Sequence, residues 1–252
     1  MKTGILHLCG ALGIAALMFS SCSKEMSTSP DQNSSPVSKD SVNVNYEISV
    51  LNPTYRLTPD ASGRLAATIG DPSLAKGTTG FDITWDTATA RLREIRLEAK
   101  RGPDEVEFKL KTDRQVNLKN IPVILGAIRI PTGTYQQVKV YARVEGDKNN
   151  PAVKLIGFVT FDGKKIPVEI ILSGKIELKA TGKDVVVTKT GIDWKGSLKI
   201  SMDLVLEKLQ LGDFQAAFSK GKLQISVNVN AGLHDKVVNS FENSMSVEHL
   251  HN

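Results

Sequence analysis

The stretch VKLIGFVTF (153–161), DG (162–163) and KKIPVEIIL (164–172) places two apolar runs on either side of a two-residue turn. An Asp-Gly pair readily adopts the positive φ values of a tight primed turn, and the flanking runs are rich in strand-forming residues. We therefore predict a β-hairpin. Pro167 cannot donate a ladder hydrogen bond, so we place the second strand at a sheet edge or at a bulge.

A second hairpin is predicted upstream of the first. Residues 90–101 fit either one face of a helix or a strand. We choose the strand, because Gly102-Pro103-Asp104 forms a turn and the apolar residues at 106, 108 and 110 then alternate with charged ones. A bulge at Arg93-Glu94 is needed to keep the apolar residues of the first strand on one face.

This second hairpin is densely charged. Ion pairs between neighbouring strands explain the pattern without any ligand, and an anion-binding site is the less favoured alternative. The cations are Arg91, Arg93, Arg96, Lys100 and Arg101, and the anions are Glu94, Glu98, Asp104, Glu105 and Glu107.

Alternating or apolar segments also predict strands around these hairpins. They lie near residues 44–50, 81–85, 116–130, 138–144, 175–180, 184–188, 197–206 and 223–229. Residues 52–80 are rich in Gly and Pro and predict a loop with a short strand at 65–69. That loop is one place to look for binding, although a merely mobile surface loop is favoured.

Helix is predicted only near the end of the chain. A short helical turn is expected at 214–218, and Asn230 is expected to cap a C-terminal helix with an apolar face. The fold class is therefore all-β, an antiparallel β-sandwich with one short C-terminal helix. One continuous sandwich over residues 44–252 is preferred, and two smaller β domains meeting near 146–152 are the alternative.

The first twenty-two residues have the features of a secretory signal. Lys2 supplies a positive start, residues 10–19 form an apolar run, and Ser20-Ser21 precede Cys22. This pattern resembles the lipobox of bacterial lipoprotein precursors, with Phe19 where Leu is usual. The resemblance implies that residues 1–21 are a signal peptide, and that Cys22 is acylated and becomes the mature N-terminus.

The resemblance to lipoprotein precursors also implies a cellular location. Ser23 stands where Asp would retain a lipoprotein in the inner membrane, so the outer membrane is expected. Residues 23–26 (Ser-Lys-Glu-Met) resemble half of the surface-export signal of Bacteroidota lipoproteins. Residues 22–43 contain few apolar groups and are expected to form a disordered tether.

A second resemblance lies inside the domain. The phrase Ile-Pro-Thr-Gly-Thr-Tyr (130–135), followed by alternating valines, resembles β-sandwich lipoproteins of unknown function from Bacteroidota. There, this phrase leads the chain into a central strand. The likeness covers about residues 80–145 and implies a fold, not an activity.

Composition excludes several classes of chemistry. Cys9 belongs to the signal and Cys22 to the lipid, so thiol catalysis and cysteine metal sites are not expected. Beyond the signal, histidine occurs only at 234, 249 and 251, which removes a Ser-His-Asp triad from the body of the domain. The charge of +5, or +4 without Lys2, is interspersed along the chain, so no nucleic-acid partner is expected.

Metal sites and cofactors are not expected either. Glu145–Pro151 carries three oxygen-bearing side chains at alternate positions, but Lys148 intrudes and the closing Glu of a calcium loop is missing, so a plain loop is favoured. His249 and His251 are expected in a frayed tail, where two ligands do not make a site.

Three functions remain. We favour a non-enzymatic surface binding or adhesion module, held to the membrane by the lipid on Cys22, with a protein or glycan partner. The second is an envelope structural subunit resembling the lipoprotein-derived pilins of Bacteroidota, which assemble by strand exchange. The third is a glycan hydrolase that uses only carboxylates. Of the two tryptophans, Trp194 is the better candidate for an exposed ring that could stack on a sugar. Core packing is nevertheless favoured for both Trp194 and Trp85.

Overall fold

The fold is predominantly β-strand. The computed structural model of the chain describes residues 40–69, 80–119, 122–161, 163–189, 194–218 and 220–251. Its helices are α1 (Leu211–Phe218) and α2 (Ala231–Glu242), with a 3₁₀ turn at Met202–Leu204. The strands are β1 (Ser41–Leu51), β2 (Thr54–Pro59), β3 (Leu65–Thr68), β4 (Phe81–Arg101), β5 (Asp104–Asn117), β6 (Val123–Pro131), β7 (Gly133–Gly146), β8 (Val153–Phe161), β9 (Lys164–Leu172), β10 (Gly174–Thr181), β11 (Val185–Val187), β12 (Trp194–Ser201), β13 (Leu223–Ile225) and β14 (Met245–His251).

The strands form two sheets. The smaller sheet has the order β14-β12-β1-β6, and the larger follows β10-β7-β4-β8-β9-β13, with β2 and β5 also paired to β4. The predicted all-β sandwich is confirmed. Its sheets are mixed, however, since β1 pairs with β12 and β9 pairs with β13 in parallel. Strands so far apart in sequence are not restricted to the antiparallel pairing that a tight hairpin imposes.

The long strand β4 organises the larger sheet. Its first half pairs with β2 on one edge and β8 on the other, and its second half pairs with β5 and β7. The predicted bulge is confirmed, because the register with both β5 and β7 shifts between Leu92 and Glu94. This shift keeps Leu92, Ile95 and Leu97 all buried.

The hydrophobic core lies between the two sheets. Trp85, Tyr55 and Phe81 of the larger sheet and Tyr46 of the smaller one are at most 1% exposed. Burial of an apolar side chain of this size contributes about 1.5–3 kcal/mol. Residues 146–152 join β7 to β8, and both of those strands pair with β4. A single core cluster also includes residues on both sides of this connection, from Val44 to Val247.

Both predicted hairpins are present. In the β8–β9 hairpin, Gly163 has φ of 70°, as the turn requires, while Asp162 lies outside the described residues. Pro167 directly precedes the three residues of β9 that pair with β13, close to the sheet edge. In the β4–β5 hairpin, Arg101 pairs with Asp104 across the turn.

Several predicted boundaries are wrong. β1 begins at Ser41, so the last three residues assigned to the tether pair with β6 instead. The loop predicted over 52–80 contains β2 as well as the expected short strand, here β3. β12 ends at Ser201 rather than Leu206, because the chain turns into the 3₁₀ segment, and β13 ends at Ile225 rather than Val229.

The C-terminal region differs most from the prediction. Asn230 does precede α2, but its φ of 58° is left-handed, and its side chain donates to the Gln224 carbonyl at 2.6 Å rather than capping the helix. His249 was predicted in a frayed tail, and this is wrong. It lies in β14, whose residues pair with β12 along its whole length.

Candidate functional site

The residues singled out in the sequence fall in different places. Cys22 lies outside the described residues. Trp85 is fully buried in the core, whereas Trp194 is half-buried at the start of β12. His251 belongs to β14, with its backbone paired to Trp194.

The charged hairpin face is largely an ion-pair network. The Arg96 guanidinium lies 3.4 Å from Glu98, 3.9 Å from Glu107 and 3.3 Å from Glu177. It also stacks over the Tyr141 ring, 4.3 Å from the ring centre. These contacts support the ion-pair interpretation for the central part of the face.

The groove beside loop 147–151 brings together two features that the sequence flagged separately. Arg91 of β4 and this loop meet at an open groove of about 560 Å³. We call this the Arg91 groove. It is lined by Arg91, Asp113, Gln115, Asn149, Asn150, Pro151 and Lys154. Its volume lies in the range of clefts that bind small ligands.

The Asp113 carboxylate forms ion pairs with two arginines beside this groove. Arg91 donates from Nε and Nη2 to the two oxygens of Asp113, at 3.0 and 3.2 Å. Arg93 Nη1 lies 2.5 Å from Asp113 Oδ2. The hydrogen bond from Arg91 lowers the pKa of the Asp113 carboxyl, and the same bond raises the pKa of Arg91. The carboxylate therefore stays ionised, and the two guanidinium groups are fixed in place.

The opposite wall is a loop folded around its own aspartate. Asp147 Oδ1 accepts hydrogen bonds from the backbone N–H groups of Asn149 and Asn150, at 2.7 and 2.9 Å. These bonds, with the one from Asn150 the largest cause, lower the pKa of Asp147. The carboxylate is thus engaged within the loop, while the side chains of Asn149 and Asn150 are exposed at the groove.

The loop at 145–151 was considered for calcium because of its oxygen-bearing side chains. Across the described ranges, no group of three or more His, Cys, Asp or Glu side chains is placed to hold a metal ion. The groove instead offers guanidinium, ammonium and amide groups. Such groups hydrogen-bond to hydroxyl and anionic oxygens, and Pro151 is its main apolar surface.

A second groove was not anticipated from the sequence. It has a volume of about 400 Å³ and is lined in part by Asp60, Arg64, Asp203 and Glu207. Asp203 is only 7% exposed and accepts a hydrogen bond from Asn52 Nδ2 at 2.8 Å. Asp60 and Arg64 belong to the loop region that the sequence marked for inspection, whereas Asp203 lay in a predicted strand.

A buried polar pair was also missed. The Tyr46 hydroxyl lies 3.0 Å from His249 Nε2, and burial lowers the pKa of His249 to about 4. Tyr46, Gly196 and His249 occupy one row across β1, β12 and β14. His249 also lines an apolar cavity of only about 10 Å³ between the sheets, together with Trp194. The Tyr46–His249 hydrogen bond links β14 to β1, and the small cavity beside it leaves little space for a ligand.

Comparison with known proteins identifies no relative. No protein-family model, no curated protein and no solved structure matches this chain. Among the described residues, neither helix has the length and apolar character needed to cross a bilayer.

Proposed function

We propose that the protein is an outer-membrane lipoprotein whose β-sandwich is a non-enzymatic binding module displayed at the cell surface. The observation that carries the binding role is the Arg91 groove, where fixed cations and exposed amides converge on an open volume of about 560 Å³. Polar groups that converge on a preformed cleft are the usual basis of ligand recognition.

The anchor rests on the resemblance of residues 1–22 to lipoprotein precursors. Residues 23–39 separate the proposed acylated cysteine from Asp40, the first described residue. Most of the tether expected over residues 22–43 therefore lies outside the described residues. Each acyl methylene buried in the bilayer contributes about 0.8 kcal/mol, so two or three chains on Cys22 provide a durable anchor.

The anchor is tested by mass spectrometry of the N-terminal peptide together with membrane fractionation. We expect a mature chain that begins at an acylated Cys22 and sediments with the outer membrane. Cys22→Ser should lose both properties, and Ser23→Ala should keep them as the matched control. An unmodified N-terminus elsewhere in the wild-type chain would refute the proposed anchor.

One observation favours the pilin-like alternative. The first strand, β1, lies in the middle of the smaller sheet, between β12 and β6. Its removal would expose the inward side of that sheet, and a strand from a second copy could then complete it. This alternative predicts polymers in which the mature chain begins well after Cys22. An acylated Cys22 in every molecule would count against it.

A further inference from the structure

We propose that the Arg91 groove binds an acidic saccharide, that is, a hydroxyl-rich chain carrying carboxylate or sulfate groups. This inference rests on the proposed binding function and names its ligand class. The charge balance of the groove, the positions of its amides and the composition of its walls all favour this class of ligand.

The charge balance at the groove favours an anion. Two arginines share the single carboxylate of Asp113, and Lys154 lies 4.0 Å from Glu169. The residues that line the groove include two cations, Arg91 and Lys154. Among the described residues, the one carboxylate in that lining is Asp113, which leaves one positive charge. The N–H groups of Arg91 that Asp113 does not engage are the donors for the anionic group, because a guanidinium group has five N–H donors.

The side-chain amides of Asn149 and Asn150 would recognise the hydroxyl groups of the saccharide. Asn149 and Asn150 are exposed, and their backbone is held by Asp147, so the loop that carries them is ordered before any ligand arrives. Gly146 fits this tight turn because a Cβ there would lie 2.1 Å from the Asn150 carbonyl oxygen. An amide both donates and accepts hydrogen bonds, as neighbouring sugar hydroxyls require. A preordered loop reduces the entropic cost of binding.

The walls argue against other ligand classes. Among the described residues, Pro151 is the one apolar side chain that lines the groove, so an acyl chain would find little surface to bury there. The described lining also holds no aromatic ring, and stacking on aromatic rings is the main way in which proteins hold unpaired bases. A neutral saccharide would leave the excess cation without a partner.

The test is a calorimetric titration of the mature, full-length lipoprotein in detergent micelles. The probes are a tetramer of galacturonic acid, a sulfated galactose tetramer and the neutral galactose tetramer. We expect saturable binding of one or both acidic probes, weakened by salt, and at least tenfold weaker binding of the neutral one. Comparison of the two acidic probes distinguishes carboxylate from sulfate as the recognised group.

Two substitutions should change the affinity in opposite directions. Arg91→Gln removes a donor and a positive charge, so it should weaken acidic binding about fivefold. Asp113→Asn removes a negative charge from the groove but keeps an oxygen that can accept from Arg91, so it should strengthen acidic binding about fivefold. Arg129→Gln removes one exposed charge on β6, away from the groove, and should leave the affinity unchanged. Thermal denaturation of each variant shows whether it is folded.

The inference is overturned if no probe saturates, if the neutral tetramer binds equally well, or if Arg129→Gln weakens binding as much as Arg91→Gln. It is also overturned if folded Asp113→Asn binds the acidic probes more weakly than the wild type. None of these results would change the mass of the N-terminal peptide or the cellular location. Failure here is therefore distinguishable from failure of the proposed anchoring and display.

Discussion

Gly196→Ala is the substitution whose effect follows most directly from the structure. Gly196 lies between Tyr46 and His249 in one row of the smaller sheet, and the Tyr46 ring passes over it to reach the histidine. A Cβ at Gly196 would lie 2.4, 2.6 and 3.0 Å from Cε1, Cδ1 and Cζ of that ring. The ring is fully buried and its hydroxyl is engaged, so it has little room to retreat.

The expected loss combines two effects. Overpacking of a core typically costs about 1–3 kcal/mol, and loss of the Tyr46–His249 hydrogen bond costs about 1 kcal/mol. Gly196→Ala should therefore reduce the free energy of unfolding by about 2–4 kcal/mol. For a domain of this size, that corresponds to a fall in Tm of roughly 5–15 °C.

The assay is urea unfolding followed by circular dichroism, with Gly212→Ala as the matched control. Gly212 lies in α1, a Cβ there meets nothing within 4 Å, and alanine is the better helix former, so that variant should be neutral or more stable by up to about 1 kcal/mol. In a Tyr46→Val background, Gly196→Ala should cost only a few tenths of a kcal/mol. An equal cost in both backgrounds would refute the proposed clash.

Two further predictions concern the C-terminal region. Burial lowers the pKa of His249 from 6.5 to about 4, so between these values the unfolded chain binds more protons, and stability should fall by at most about 3 kcal/mol as the pH drops from 6.5 to 4. Urea unfolding at pH 7 and 4.5 should show a smaller loss for His249→Gln, and an unchanged loss would contradict the assignment. Asn230→Ala should cost about 2 kcal/mol and Asn230→Gly about 1, because glycine tolerates the left-handed φ and loses only the bond to Gln224. Thermal denaturation ranks the two variants, and the reverse order would be inconsistent with a strained backbone.

Much of the β architecture could be predicted because its signals are local. The alternation of period two and the Asp-Gly turn located β8 and β9. Parity alone located the bulge near Arg93, since Leu92 and Ile95 can both face the core only if the register shifts between them. β14 was missed, although Met245, Val247 and His249 do alternate, because its pairing partner lies about fifty residues earlier in the chain.

The Arg91 groove could be anticipated only in pieces. Arg91 was flagged as part of a charged hairpin, and loop 145–151 was considered separately for calcium. Arg91 and the loop are brought together by the pairing of β8 with β4. There, the backbone N–H of Arg91 donates to the Ala152 carbonyl oxygen at 2.8 Å. Pairing with Asp113 depends on the register shift at the bulge, because Asp113 lies between the residues paired with Leu92 and Glu94. Neither contact has a signature in the local sequence.

The position of Asp203 could not be predicted from the local sequence for a different reason. The apolar alternation of residues 197–206 predicts one strand, and a strand would place Asp203 on its solvent face. The chain instead enters a 3₁₀ turn at Met202, which buries the carboxylate beside Asn52. The hydrogen bond from Asn52 is a tertiary contact that overrides the local period, because a buried carboxylate must be hydrogen-bonded.

Surface display through a lipid anchor is best tested by protease treatment of intact cells. We expect a protease that cleaves within residues 23–39 to release the folded β-sandwich into the medium, while a peptide that begins at acylated Cys22 stays with the cells. A periplasmic control protein must remain uncut in the same sample. Full protection of the β-sandwich, with cleavage only after the outer membrane is opened, would contradict display at the cell surface.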